Sequence, residues 1–145
     1  MRRVNLFSLE SGPGLDRDGY RRTRTEVGKA LGAVRIGFSL YELPKDQRTF
    51  PYHFHHGMEE WAIVVDGTPT LRSPAGERQL RRGDVVCFPA GTEGAHQLAG
   101  PGSVLLLSSN RVPETIEYPD SGKVGLNPPG KLFFARDAAD YWDGE

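Results

Sequence analysis

Apolar and polar residues alternate through "AVRIGFSLYEL", residues 33–43, with Val34, Ile36, Phe38 and Leu40 in phase. A period of two belongs to a strand with one face in a core. The segment is therefore predicted as a long strand with those four residues turned inward. "TFPYHFH" at 49–55 follows the turn-forming "PKDQR", and "EWAIVVDG" reads as a strand closed by an Asp-Gly turn. "PTLRSPAGERQLRRGD" reads as two short strands about Ser73-Pro74-Ala75-Gly76, a sequence with hairpin chemistry. "DVVCFPAG" is an apolar strand stopped by Pro89 and Gly91, and "GAHQLAG" is a short segment between glycines. "SVLLLSS" at 103–109 is a continuous apolar run, and "ETIEY" closes the series. Strands spaced roughly eight to twelve residues apart, with turn signals between them, predict an all-β antiparallel barrel or sandwich.

The flanks have a different texture. The first thirty residues are polar and Gly-rich and include a basic run, "RDGYRRTR" at 17–24, expected to be a solvated arm or edge segment. A short helical turn is expected around Glu26–Leu31. Beyond Tyr118 strand character weakens, yet Phe133, Phe134, Tyr141 and Trp142 are too apolar for a free tail. They are expected to pack on the barrel or on a second subunit, with a short helix over Arg136–Trp142. The chain is thus divided into an arm (1–32), a barrel (33–118) and a C-terminal extension (119–145).

Composition narrows the function classes. The chain has 145 residues, a formal charge of −1, 37% hydrophobic and 26% charged residues. That length suits one domain with a real core. The near-neutral balance gives no electrostatic reason to expect nucleic acid or a membrane surface as partner. No helix-turn-helix segment accompanies the strands, which argues against a self-contained transcription regulator. Glycine and proline supply 18 and 11 residues, in keeping with many turns. The single cysteine, Cys87, precludes an internal disulfide and is expected to be a buried hydrophobe. With no apolar stretch of signal-peptide length at the N-terminus, a cytoplasmic location is the expectation.

The chemistry gathers in "PYHFHHGMEEW", residues 51–61, which holds three of the four histidines. On a strand His53 and His55 project together, with Phe54 and His56 turned away. Glu59 and Glu60 point to opposite faces, so only one of them can join the histidines. The fourth histidine, His96, follows the turn "PAGTEG", and a hairpin-rich barrel can bring it alongside. Three neutral imidazoles and a carboxylate form a donor set for a divalent ion that leaves coordination positions open.

At these residues the sequence resembles a cupin. The family's first motif runs glycine, His-x-His, three or four residues, Glu, six residues, Gly. Here His53, His55, Glu60 and Gly67 fill it, and that register selects Glu60 over Glu59. The second motif is similar to "GDVVCFPAGTEGAHQLAG", with Gly83, Pro89, Gly91 and His96 in place. The leading glycine of the first motif is missing, the Gly91–His96 gap is two residues longer than the common form, and Gly100 stands where asparagine is frequent. The resemblance covers about residues 33–110, and the tail is similar to that of small bacterial one-domain cupins, some of which carry a sugar-phosphate isomerase label.

The resemblance implies a double-stranded β-helix (jelly-roll) barrel, often dimeric. It implies a divalent ion (Mn, Fe, Ni, Zn or Co) held by His53, His55, Glu60 and His96. The function it implies is a small-molecule metalloenzyme of isomerase or dioxygenase type. The alternative is a non-catalytic module that binds a small molecule or a metal. Glu59 is a candidate base. Phe38, Tyr41, Tyr52, Phe54 and Trp61 are candidate walls or interface residues. Arg35, Arg72 and Arg81 are candidate contacts for an anionic substrate.

Overall fold

A computed structural model describes all residues, 1–145. Its strands are β1 (Gly14–Leu15), β2 (Arg22–Thr25), β3 (Ile36–Leu43), β4 (Phe54–His55), β5 (Glu60–Gly67), β6 (Thr70–Ser73), β7 (Gly76–Gln79), β8 (Val85–Phe88), β9 (Gln97–Ala99), β10 (Gly102–Ser109), β11 (Glu114–Tyr118), β12 (Lys123–Asn127) and β13 (Lys131–Phe134). One helix, α1 (Val27–Leu31), separates β2 from β3. No helix is long and apolar enough to cross a membrane.

Every strand pair is antiparallel. One sheet runs β1-β2-β3-β10-β5-β8, a second β13-β12-β11-β4 and a third β7-β6-β9. This is the antiparallel barrel expected from the spacing of turns, in the jelly-roll form that the cupin resemblance implies. The core joins the large sheet to the third: Leu43, Val64, Val104 and Leu106 meet Leu71, Leu80 and Leu98. These branched side chains fill one end of the barrel.

The other end is emptied by small residues. Directly paired residues of neighbouring strands share a face. The register sets Gly37 beside Ser108 and Ser108 beside Glu60, and in the next inward row Ser39 beside Leu106 and Ala62. Glycine and serine at these positions leave an interior cavity of about 300 Å³ that Leu or Val would fill.

The inward face of β3 is therefore the opposite of the predicted one. Ser39, Tyr41 and Leu43 are buried, whereas Ile36 and Val34 are 54% and 83% exposed. The barrel interior at this end is polar, so the apolar face of β3 is the outer one. Part of that outer face is covered: Val27 of α1 is fully buried, and Leu6 and Leu9 line a groove with Leu40 and Val65.

Of the two readings of the N-terminal segment the edge segment holds, because β1 and β2 add to the edge of the large sheet through Thr23–Glu42, Arg24–Tyr41 and Thr25–Leu40 pairing. Ser11 Oγ and Thr23 Oγ1 each donate to Glu42 at 2.6 Å, pinning it to β3. The C-terminal segment forms the β12–β13 hairpin on β11. Its aromatics do not pack on the barrel of their own chain: Phe133, Phe134, Tyr141 and Trp142 are 49%, 41%, 83% and 72% exposed. The expected helix over 136–142 is reduced to one 3₁₀ turn at Ala135–Asp137. Cys87 is exposed, since it lies on the outer face of β8 beside Trp61.

The two hydroxyl donors hold the Glu42 carboxyl below its ordinary value of 4.5. A depressed carboxylate contributes stability that is present above the unfolded pKa and is lost as pH falls through the folded one. Wild-type protein should therefore melt above Glu42→Gln at pH 7, and the gap should close as pH falls below the ordinary carboxyl value of 4.5. A pH-independent gap between them would show that the arm is not held by this charge.

Candidate metal centre

Three separate segments deliver the cluster. His53 sits just before β4 and forms an antiparallel bridge with His96: each residue's N–H donates to the other's carbonyl, at 3.2 and 2.9 Å. His55 is the last residue of β4, and Glu60 the first of β5. The long Gly91–His96 connection does not displace His96. Its extra residues are taken up by a 3₁₀ turn at Thr92–Gly94 that returns the chain to the bridge. Gly94 is required there, because a Cβ would collide with the Pro89 carbonyl.

The side chains converge on one oxygen. Glu60 Oε2 lies 3.3 Å from His55 Nε2, 3.3 Å from His96 Nε2 and 3.8 Å from His53 Nε2. One donor atom each from His53, Glu60 and His96 falls within a 4.8 Å set, and His55 joins through Glu60.

Backbone oxygens fix the tautomers. His53 Nδ1 lies 2.9 Å from Pro51 O and His96 Nδ1 2.8 Å from Gly94 O. A carbonyl can only accept, so each Nδ1 carries a proton, and each Nε2 is the ring nitrogen turned toward Glu60. Phe88 stacks on His96 with ring centroids 3.7 Å apart and 7° between planes, holding that ring in place.

The charge states follow from burial and neighbours. Burial, followed by the proximity of His96, pushes His53 down to about 4, so it is neutral at pH 7. Burial works against charge on Glu60 as well, but hydrogen bonding and attraction to His55 and His96 outweigh it and hold the carboxyl well below its usual range. For His55 burial again opposes protonation. Contacts with Glu60 and Glu114 reverse the sign and raise it.

Glu114 is the site residue that sequence reading missed. It is 3% exposed and lies on β11, over fifty residues from the histidines it supports. It accepts the His56 N–H at 3.0 Å and the Gly57 N–H at 3.1 Å. Its Oε1 also lies 3.3 Å from His55 Nδ1, close enough for strong attraction but misaligned for a good hydrogen bond. The only signal in the chain is a glutamate at the start of a β-rich segment, which is indistinguishable from a surface carboxylate.

The remaining candidates divide. His56 is exposed and pairs with Glu117 at 2.7 Å. Glu59 lies outside the cavity, on the outer face, where it accepts from Trp61 Nε1 at 3.2 Å, so it is not placed to act as a base within the cluster. Phe38 and Tyr41 line the cavity, Tyr52 and Phe54 pack with Ala95, and Trp61 faces outward. None of Arg35, Arg72 and Arg81 lines it; Arg72 is spent on a two-point pair with Asp120 at 2.6 and 2.8 Å. The cation at the cavity is Arg24, from the basic run read as a solvated arm. Its Nε reaches Ser39 Oγ at 3.2 Å, and a terminal nitrogen lies 3.4 Å from Glu26. Phe50 and Tyr118 complete the walls, with Tyr118 stacked on His53 at 5.9 Å.

Antiparallel sheets closed into a jelly roll, with a His/Glu cluster inside one end, define the class of double-stranded β-helix barrels. The family model for the cupin domain matches residues 39–109, which places a cupin domain within this chain. It is similar to a proposed sugar phosphate isomerase from Acidithiobacillus ferrooxidans, with 23% identity over 97% of this chain and 95% of that one and a TM-score of 0.84. A sugar phosphate isomerase of the cupin superfamily from Silicibacter pomeroyi gives 24% identity, 98% coverage of both chains and a TM-score of 0.81. The polyketide cyclase RemF of Streptomyces resistomycificus is more distant, with 23% identity over 79% and 83% of the two chains and a TM-score of 0.59. At these identities the likeness establishes the fold and nothing finer. No curated protein matches the sequence.

Removing the Glu114 carboxylate leaves the part-buried Gly57 amide without an acceptor, leaves the His56 amide only the Thr115 carbonyl, and takes the negative charge from beside His55. Glu114→Ala should destabilise the protein by about 2–3 kcal/mol, read by denaturant unfolding, while Glu114→Gln, which keeps an acceptor oxygen, should lose less. Equal losses would show that the amides are not what Glu114 serves.

Proposed function

We propose that the protein is a metal-dependent small-molecule enzyme of isomerase type, with a divalent ion held by His53, His55, Glu60 and His96. The observation that carries this reading is the convergence of three Nε2 atoms and an ionised carboxylate inside one end of the barrel. Without a cation the Glu60 charge has only imidazoles to answer it, and His53 is neutral. Three imidazole nitrogens and one carboxylate oxygen suit Mn, Fe, Co, Ni or Zn. Such an ion, when bound, polarises a carbonyl or hydroxyl oxygen of a substrate.

The chain's own groups then orient the substrate. The cavity, at about 300 Å³, suits a small polar molecule. Arg24 offers a guanidinium for an anionic group, with Ser39 and Ser108 as hydroxyl partners along the same wall. Burial, then the Glu60 charge, raises Tyr118, so its phenol stays protonated and donates to a substrate oxygen. Support for a phosphorylated sugar as substrate comes from this cation and from the likeness to the two sugar phosphate isomerase structures, each spanning nearly the whole chain.

Dialysis against Mn, Fe, Co, Ni or Zn followed by metal analysis should find one ion per chain. His53→Ala and His96→Ala should lose it while staying folded. A wild-type protein that takes up none of these ions, and gains no thermal stability from them, refutes the site. In a turnover assay over a sugar-phosphate panel, Arg24→Gln should raise KM about tenfold or more with a smaller effect on kcat.

We also propose that the chain assembles as a homodimer. Ile36, Trp61 and Val85 are 54%, 41% and 57% exposed, all on the outer face of the large sheet. Such a face is usually covered. Sedimentation should give twice the chain mass for wild type and a weaker association for Trp61→Arg; a wild-type monomer at micromolar concentration refutes the assembly.

A further inference from the structure

A second cavity, of about 370 Å³, lies on the far side of the Phe50–Pro51 wall from the metal cluster. Its cations are Arg17 and Arg22 from the N-terminal segment and Lys123 from the first residue of β12. None of the three is paired with a carboxylate, whereas Arg21, Arg24, Arg72 and Arg81 all are.

Arg22 is the informative one. It is half-buried, and its Nε is sealed from solvent without any hydrogen-bond partner. Its guanidinium lies over Phe50 at 4.8 Å and over Tyr41 at 5.7 Å. Aromatic faces hold a planar cation in place but leave its N–H donors unused, and an unpaired half-buried charge is costly. Lys123 is likewise half-buried, with Nζ 5.5 Å above the Tyr118 ring and no acid in reach. The one carboxylate on the wall, Asp120, already receives both hydrogen bonds of Arg72. Three cations therefore face a concave space with no counter-charge of their own.

We infer that this cavity is an anion site for the phosphate group of a small molecule, gripped by Arg22 and Lys123 with Arg17 at its rim, and distinct from the cavity that holds the histidines. A doubly charged tetrahedral group answers several cations at once and offers an acceptor to each free donor of Arg22, which a singly charged carboxylate does less well. The site does not depend on the isomerase reading. Phe50 is the common wall: its ring takes the Arg22 charge on one side and meets the edge of His53 at 5.9 Å on the other.

The test is calorimetric titration of full-length protein with inorganic phosphate, and separately with acetate, at constant ionic strength. Phosphate should bind saturably and more tightly than acetate. Arg22→Gln should weaken phosphate at least about tenfold and Lys123→Gln several-fold, while Arg81→Gln leaves it unchanged and Arg24→Gln leaves the Arg22-dependent binding in place. Arg22→Lys, which keeps the charge and loses the fork, should fall between and guards against a folding defect, checked by the melting temperature of each variant. Absence of phosphate binding, or equal affinity for acetate, overturns the inference. Loss of phosphate binding with Arg24→Gln but not with Arg22→Gln also overturns it, because the anion would then sit in the cavity with the histidines.

Discussion

A buried carboxylate facing three imidazoles is the arrangement around which this barrel is built. Glu60 and the histidines sit where an all-apolar barrel would place branched aliphatics, and their desolvation is offset by the partners their polar atoms find. The Nδ1 atoms of His53 and His96 are answered by the carbonyls of Pro51 and Gly94, and the backbones of the two histidines are locked to each other. What remains is a set of Nε2 atoms with nowhere to turn but inward. The cluster is thus pre-organised by the strands themselves, and an ion entering it would meet ligands already aimed.

The two ends of the barrel divide the labour. One is packed with leucines and valines, which supply the cooperative core. The other is held open by Gly37, Ser39 and Ser108 in the rows beside Glu60. That opening has a consequence for the outer surface. Once the inward face of β3 is given to small and polar side chains, its apolar face must look outward and be covered from there. The N-terminal segment and α1 perform part of that covering, and β2 brings Arg22 and Arg24 to the cavities as it does so. A segment that reads as a charged arm is therefore both a cover and a source of cationic side chains.

Glu114 shows a second economy. One carboxylate caps the amides of the turn after His55 and also presses on that ring's far nitrogen. It ties β11 to β4 at the point where the site is made. The sheet extended by β12 and β13 thus has a direct mechanical link to the cluster, and Lys123 at the start of β12 reaches the neighbouring cavity.

The linear sequence determined the strand count along the barrel, the turns, and the identity of the clustered side chains. These rest on local rules: period-two alternation, Gly and Pro at turns, and the fixed spacing of His53, His55 and Glu60. It did not determine which face of β3 points inward, because alternation marks an apolar face without saying whether the interior at that level is apolar. Nor could it assign Glu114, whose partners lie more than fifty positions away, or Arg24, which reaches the cavity only through the pairing of β2 with β3, or separate Glu59 from Glu60 by anything finer than register. The exposure of Cys87 and of the C-terminal aromatics was likewise decided by tertiary placement. Burial is a property of neighbours brought together by the folded chain, and a hydrophobic side chain carries no record of whether those neighbours arrive.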